Sequence, residues 1–360
     1  MTTDRKIDFL IIGQGLAGSI LAWLLINRKQ KLLIIDQNQA MSASKIAAGI
    51  INPASGKRFS IANNTERLLS HATDLYASFS RAFGEQYYFP RPMIRIFKNE
   101  PDRSLCLKRL SDPSVVNYFG NELDFSEKTW NLQTSCGGIY QNYCGHLNTR
   151  PLLSALTMHF KQLGILRQLD FCWNDLSFDK NGLRWQNHPI RNLISCEGYR
   201  GNHSGYFSWL PFQLSKGEIA TVKHHLSLPN AIINKGHWLL PMTQQQFRFG
   251  ANYETTQLDE HPTLQGKNAL LDGMNRLLKQ PFASEWKNHT AGIRPGTQDK
   301  APFLGTHPQH PRIHIFNGFG SKGALTIPYF GERMVRFLLN STPLPIEADI
   351  KRHYKSYAPG

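Results

Sequence analysis

Residues 9 to 36 constrain the fold more tightly than any other stretch of this 360-residue chain. An unbroken apolar run, Phe9-Leu10-Ile11-Ile12, passes directly into Gly13-Gln14-Gly15-Leu16-Ala17-Gly18. An apolar helical pattern follows, then a second apolar run, Leu32-Leu33-Ile34-Ile35, closed by Asp36. Runs that are apolar on both faces suit strands buried in a parallel sheet, and the glycines suit a turn from strand to helix. Gly13 permits the turn, Gly15 lets backbone approach a pyrophosphate, and Gly18 lets helix and strand pack closely. Phosphate placed there meets the unpaired amides of the helix start, around Leu16 and Ala17, where the helix dipole favours negative charge. Asp36, with Gln37 beside it, stands eighteen positions after Gly18. A carboxylate at that distance accepts hydrogen bonds from an adenosine ribose and repels a 2′-phosphate. The pattern predicts a dinucleotide site and leaves FAD and NAD both open.

Bulk properties narrow the class. With 41% hydrophobic and 19% charged residues, a globular protein with a substantial core is expected, and the length favours two domains over one. A formal charge of +15, from 41 Lys and Arg against 26 Asp and Glu, favours anionic partners by steering. The basic residues are scattered singly and in pairs, so nucleic acid is a possible partner but not the favoured one. Five cysteines (Cys106, Cys136, Cys144, Cys172 and Cys196) show no metal-ligand spacing. No metal is expected, and reduced thiols point to the cytoplasm. Met1 to Asp8 is too short and polar for a signal peptide, and Ile20 to Ile26 is too short to span a bilayer.

Further along, the first helix is expected from Leu16 to Arg28. Small side chains crowd Met41 to Pro53, where Ser42 and Ser44 are placed to hydrogen-bond phosphate. Helical periodicity marks Asn64 to Phe83, Pro151 to Leu163 and Gly266 to Lys279. Strands are expected at Met93 to Phe97, Ile165 to Trp173, Leu183 to Trp185 and Arg191 to Cys196. Alternation at Glu218 to Val222, His237 to Pro241 and Gln246 to Glu254 predicts an antiparallel sheet. Two late stretches stand out. Ala291 to Gly305 contains Gly292-Ile293-Arg294-Pro295, and Ile313 to Gly323 again reads as strand, glycine-rich turn and helix start. The helix beginning there is expected to reach Leu339, with Pro328 tolerated in its first turn.

Four stretches, Gly13 to Asp36, Ser42 to Pro53, Gly292 to Gly305 and Asn317 to Gly323, occur in an order that resembles the FAD-dependent amino acid and amine oxidase family. That family includes D-amino acid oxidase, glycine oxidase, sarcosine oxidase and the oxidase domain of the bifunctional tRNA methylaminomethyl-thiouridine enzyme. The resemblance implies FAD bound with its ADP half on Gly13, Gly15, Leu16, Ala17, Gly18, Asp36 and Gln37. It puts Ser42 and Ser44 near the pyrophosphate, and Ala48 and Gly49 near the ring. Gly318, Phe319, Gly320, Ser321, Lys322 and Gly323 match the turn at the ring's pyrimidine end. Pro295 stands where covalent members carry a cysteine, so noncovalent FAD is expected. Arg294, in the family's Gly-x-Arg-Pro position, is the first candidate to hold a substrate carboxylate, and Lys322 is the second catalytic candidate. Asn52, Arg58, His146 and Tyr253 are expected to be structural, and Asp299 to brace its loop. Phe207, Trp209, Phe212 and Trp238 are expected in the core rather than around a ligand.

The expected fold class is α/β. A Rossmann-like FAD-binding domain (1–85, 140–205 and 290–345) would interleave with an α+β substrate domain on a mixed or antiparallel sheet (86–139 and 206–289), followed by a tail (346–360). The implied activity is oxidation of the C–N bond of a small amino acid or secondary amine to an imine, with O2 or another acceptor taking the electrons. The alternatives are a tRNA wobble-uridine aminomethyl-modifying oxidoreductase and a non-catalytic FAD-binding protein.

Overall fold

The two apolar runs at the start of the chain lie side by side as parallel strands, Ile7–Ile12 and Leu32–Asp36, with Phe9 opposite Leu32 and Ile12 opposite Ile35. Helix Leu16–Ile26 joins them. This computed structural model describes residues 7–38, 41–56, 59–62, 64–126, 128–179, 182–186, 188–279 and 285–357. Arg58 lies outside the described residues. The chain divides into two units, one of Met1–Lys45, Thr149–Ser215 and Ile293–Gly360, the other of Ile46–Asn148 and Lys216–Gly292.

In the first unit the parallel strands run Leu166–Gln168, Leu32–Asp36, Ile7–Ile12, His188–Ser195 and Ile313–Asn317 across the sheet. Strand Phe303–Thr306 adds antiparallel to the last. The hairpin of Leu176–Asp179 and Gly182–Trp185 pairs with the start of His188–Ser195. Burial on both faces accounts for the unbroken Val/Ile/Leu-type runs: Leu10, Ile11, Ile34, Leu193, Ile194 and Ile315 are all inaccessible to solvent. The strand expected over Ile165 to Trp173 is shorter, because its partner ends where Gln168 meets Asp36. Helix Gly323–Asn340 packs on helix Leu16–Ile26. Gly331 permits the close approach, since a Cβ there would lie 3.0 Å from Leu24 Cδ1. Pro328 falls in the second turn rather than the first, where its ring removes one helical hydrogen bond. The helix continues because Ile327, Tyr329, Phe330, Met334 and Val335 are buried along it. Phe207 joins this unit's core, Trp209 packs edge-on to Tyr357, and Phe212 packs on Phe303.

The second unit is built on an eight-stranded sheet. Its order is Glu285–Arg294, Ser215–Lys223, Gln246–Gly250, His237–Thr243, Ile232–Lys235, Met93–Ile96, Gly138–Gln141 and Phe119–Leu123. Alternation sorts the side chains. Leu239, Phe247, Phe249, Ile233 and Ile94 pack with helix Leu264–Leu277, while Leu240, Ile232 and Met93 pack with Ala48, joined by Trp238. Strand Gln246–Gly250 stops four residues short of the expected Glu254. There Asn252 Oδ1 accepts from Glu218 N at 2.6 Å, so a side chain takes over from the ladder. A smaller sheet orders Ile50–Ile51, Gly145–Leu147 and Tyr88–Pro90.

Candidate functional site

The first glycine turn is dictated by contacts that admit no side chain. Gly13 has φ +96°, and a Cβ on it would sit 2.5 Å from Cys196 O. A Cβ on Gly18 would sit 1.9 Å from Gly13 O. Gly15 is different: a Cβ there would come 3.1 Å from Ser44 Oγ, so its bareness makes room for a side-chain hydroxyl rather than for backbone. Gly15 caps helix Leu16–Ile26 without a side-chain bond, and Ser44 Oγ accepts from Leu16 N at 3.0 Å. Ser44 comes from the short helix Ala43–Ile46, so tertiary folding brings a hydroxyl to the amides where a phosphate would sit. Ala17 lies half-buried in the first turn, and Ser42 is half-buried just before Ser44.

Asp36 faces the same turn. Its Oδ2 accepts from Gln14 N at 2.7 Å and its Oδ1 from Asn38 N at 2.6 Å, which fixes the carboxylate with lone pairs to spare. Gln37 Oε1 accepts from Arg200 Nη1. Arg200 went unremarked in the sequence. The signal available was Glu197-Gly198, which follows the third central strand. Glu197 is held by Ser195 Oγ at 2.7 Å, and burial raises its carboxyl pKa.

The two late motifs meet in the first unit. Gly320 N donates to Pro295 O at 3.0 Å, and Gly296 N to Arg294 O at 2.9 Å. Gly318 has φ +81°, and a Cβ on it would lie 2.8 Å from Thr297 Cγ2. Thr297 Oγ1 is buried with no hydrogen-bond partner among the described residues. Asn317, absent from the sequence expectations as a ligand-turn residue, braces the turn by donating to Gly198 O at 2.8 Å and accepting from Gly318 N at 2.8 Å. Phe319 is buried edge-on to Phe316, and Ser321 is exposed. Gly323 begins the long helix behind Lys322, which contributes no side-chain cap. Lys322 keeps much of its surface exposed, yet desolvation by surrounding protein lowers its ammonium pKa. Arg294 is half-buried at the end of strand Glu285–Arg294. Asp299 accepts from Arg352 Nε at 2.8 Å.

The sequence matches the FAD dependent oxidoreductase family over residues 8–336. The chain belongs to that family. It is 25% identical over 352 residues to a glycine oxidase of Bacillus subtilis, covering 93% of this chain and 94% of the relative. It is 22% identical over 360 residues to a tRNA 5-methylaminomethyl-2-thiouridine biosynthesis bifunctional protein of Acinetobacter baylyi, covering 95% of this chain and 54% of that protein. This FAD dependent oxidoreductase thus spans about half the length of the bifunctional relatives. Its fold matches glycine oxidase from Geobacillus kaustophilus with TM-score 0.79 at 20% identity, covering 94% of this chain and 95% of that one. Iminodiacetate oxidase from Chelativorans sp. matches with TM-score 0.77 at 19% identity, covering 96% and 98%. FAD is the family's cofactor, and the residues present fit it. The helix-start amides and the partnerless Thr297 hydroxyl offer hydrogen bonds that a phosphate-bearing heterocycle can take up.

Ala48 and Gly49 lie in the second unit and are both buried. Gly49 has φ +64°, and a Cβ on it would lie 2.0 Å from Leu147 O. Arg248 clamps the preceding backbone, donating from Nη1 to Ala47 O at 3.0 Å and from Nη2 to Ile46 O. Asn52 accepts from Gln141 Nε2 and contacts Met93 Sδ at 3.6 Å. His146 is buried, and Tyr253 is 63% exposed. Among the described residues no helix is long and apolar enough to cross a membrane.

Proposed function

We propose that this FAD-dependent enzyme oxidises the C–N bond of a small amino acid or secondary amine to an imine that water then hydrolyses. The observation that carries this reading is the hydrogen bond from Gly320 N to Pro295 O, which ties the Arg294 segment to the late glycine turn. Bound FAD supplies the two-electron acceptor for the hydride leaving the carbon next to nitrogen. The glycines at 13, 15 and 18 and the amides of Leu16 and Ala17 hold the diphosphate with Ser42 and Ser44, and Asp36 holds the adenosine ribose. Gly318 to Gly323 would hold the ring's pyrimidine end. Attachment is noncovalent, since Pro295 offers no nucleophile. Arg294 holds the substrate carboxylate through its planar fork and so aims the reacting carbon. Lys322 contributes positive charge beside the turn, favouring electron-rich groups there, and O2 or another carrier takes the electrons. The substrate binds as the neutral amine, so no dedicated base is required.

Anaerobic titration of the purified holoprotein with glycine, sarcosine, proline, D- and L-amino acids and simple secondary amines tests this. Bleaching of the visible flavin band by one of them is expected, and admitting air then separates oxidase from dehydrogenase. A flavin band that none of them bleaches overturns the small-amine reading. A second reading, an aminomethylated wobble uridine of tRNA as substrate, draws support from the +15 charge and the bifunctional relatives. It requires retention on tRNA that weakens steeply with salt.

A further inference from the structure

A second concentration of positive charge lies wholly inside the second unit. Strand Tyr88–Pro90 leads into Arg91, whose backbone N donates to Cys144 O at 3.0 Å. Strand Gly145–Leu147 runs antiparallel beside it and sets His146 opposite Phe89, the two rings stacked 5.1 Å apart. Arg91 Nη1 reaches the hairpin of His237–Thr243 and Gln246–Gly250, donating to Pro241 O at 2.5 Å. On that hairpin Arg248 stands opposite Leu240, one position from Pro241. Two guanidinium-bearing side chains thus come to one stretch of the hairpin, and both act electrostatically on His146.

Arg91 lacks a counter-charge, and His146 lacks a hydrogen-bond partner for one ring nitrogen, among the described residues. The guanidinium of Arg91 is half-buried, its side-chain hydrogen bond goes to a backbone carbonyl, and no carboxylate acts on it among the described residues. His146 is 5% exposed, and its Nδ1 has no hydrogen-bond partner among the described residues. Withdrawing a cation from water against a neutral carbonyl is unfavourable, and so is burying an unpaired imidazole nitrogen. One ligand removes both deficits. A planar oxyanion accepts from the guanidinium fork and from the N–H of a neutral imidazole.

We propose that Arg91 and His146 form a binding site for the carboxylate of a small anion, with Arg248 adding a favourable field. The site stands on the second unit's own geometry. The carboxylate belongs either to an acidic amine substrate, which rests on the reading above, or to a separate carboxylate ligand.

Succinate, which has no nitrogen to oxidise, is the probe. The holoprotein with 13C-labelled histidine is titrated with succinate, following the His146 ring signal assigned through His146→Gln, with sodium chloride at matched ionic strength as the reference. A saturable shift is expected with succinate and not with chloride. Arg91→Met weakens it about tenfold or more, and Arg91→Lys, which keeps the charge but not the fork, weakens it less. A retained flavin spectrum reports that each variant is folded. If Arg91→Met fails to fold, the Arg91→Lys titration decides by itself. A shift that does not saturate, that chloride reproduces, or that survives the substitution undiminished overturns the site. Competition between succinate and amine-driven flavin reduction that Arg91→Met weakens in parallel with the ring shift assigns the carboxylate to the substrate, and competition that Arg91→Met leaves unchanged, or none, assigns it to a separate ligand. Succinate binding is read without turnover, so failure of the amine reading leaves this result interpretable.

Discussion

The glycine turn of the first unit and the arginine–histidine cluster of the second are both suited to anions, yet they are made of different material. At Gly13 to Gly18 the surface is backbone, and the side chains matter by being absent, as the 1.9 Å and 2.5 Å distances from added Cβ atoms to carbonyl oxygens require. At Arg91, His146 and Arg248 the surface is side chain, and the residues come from three segments, two of them brought together by strand pairing and the third reached by the Arg91 hydrogen bond to Pro241 O. A site made of backbone imposes a residue type at a fixed local spacing. A site made of side chains imposes only that the ends of long groups meet, which many spacings satisfy.

Substitutions separate the two kinds of site by how abruptly they fail. The largest effect is expected for Gly18→Ala, whose Cβ would collide with Gly13 O. Backbone cannot move aside as a side-chain tip does, so a loss of about 3 kcal/mol or more is expected. Flavin content after purification and thermal unfolding check it, and a variant that retains normal FAD breaks the comparison. Arg294→Met is expected to lower kcat/KM for a carboxylate-bearing amine by 2–5 kcal/mol, roughly 30-fold to several thousandfold, with FAD retained. Steady-state kinetics against an amine without a carboxylate, which should lose little, sharpens the assignment.

A pH effect comes next. Burial, then Arg91 and Arg248, depress the pKa of His146 from 6.5 to about 4. The folded state therefore holds fewer protons than the unfolded state between those values. The stability associated with neutral His146 is complete above pH 6.5 and is lost as pH falls towards 4, by about 3 kcal/mol at most. His307 and His314, also lowered to about 4 by burial, share the window. Denaturant unfolding from pH 7 to 4 should show a shallower decline for His146→Phe than for the parent chain, and identical slopes would remove His146 from the account. Arg248→Met, which loses two bonds to the Ile46 and Ala47 carbonyls, is expected to cost about 2 kcal/mol and to perturb the flavin spectrum. An unchanged spectrum would mean that the clamp does not shape the ligand-facing backbone. Ser44→Ala should be mildest, about 1 kcal/mol in stability or FAD affinity, because the Leu16 amide it frees can turn to solvent or phosphate.

Legibility followed the same division. The strand–turn–helix–strand unit ending at Asp36 was readable because each element is local and its apolar periodicity survives in one dimension. The late glycine turn was readable for that reason too. Strand ends were less so. The strand after Ile165 stops where its neighbour stops, and the strand after Gln246 stops where Asn252 captures the Glu218 amide. Both outcomes depend on a partner distant in the chain. Pro328 in the second turn of its helix shows tertiary burial overriding a local breaker. His146 was expected to be structural, and only its surroundings reveal two arginines and an unpaired nitrogen.

What the sequence determined by itself is therefore the part built from backbone: an α/β chain with a strand-to-helix glycine turn at Gly13 to Gly18 and a second glycine turn at Gly318 to Gly323. Steric exclusion acts between near neighbours, so it leaves a spaced record of glycines. Tertiary structure alone decided which groups meet: Ser44 with the Leu16 amide, the Pro295 carbonyl with the Gly320 amide and Arg200 with Gln37, and it set the charge of Arg91 where it acts on His146. Hydrogen bonds and charge act through space at a few ångströms whatever the separation along the chain, so no spacing rule records them.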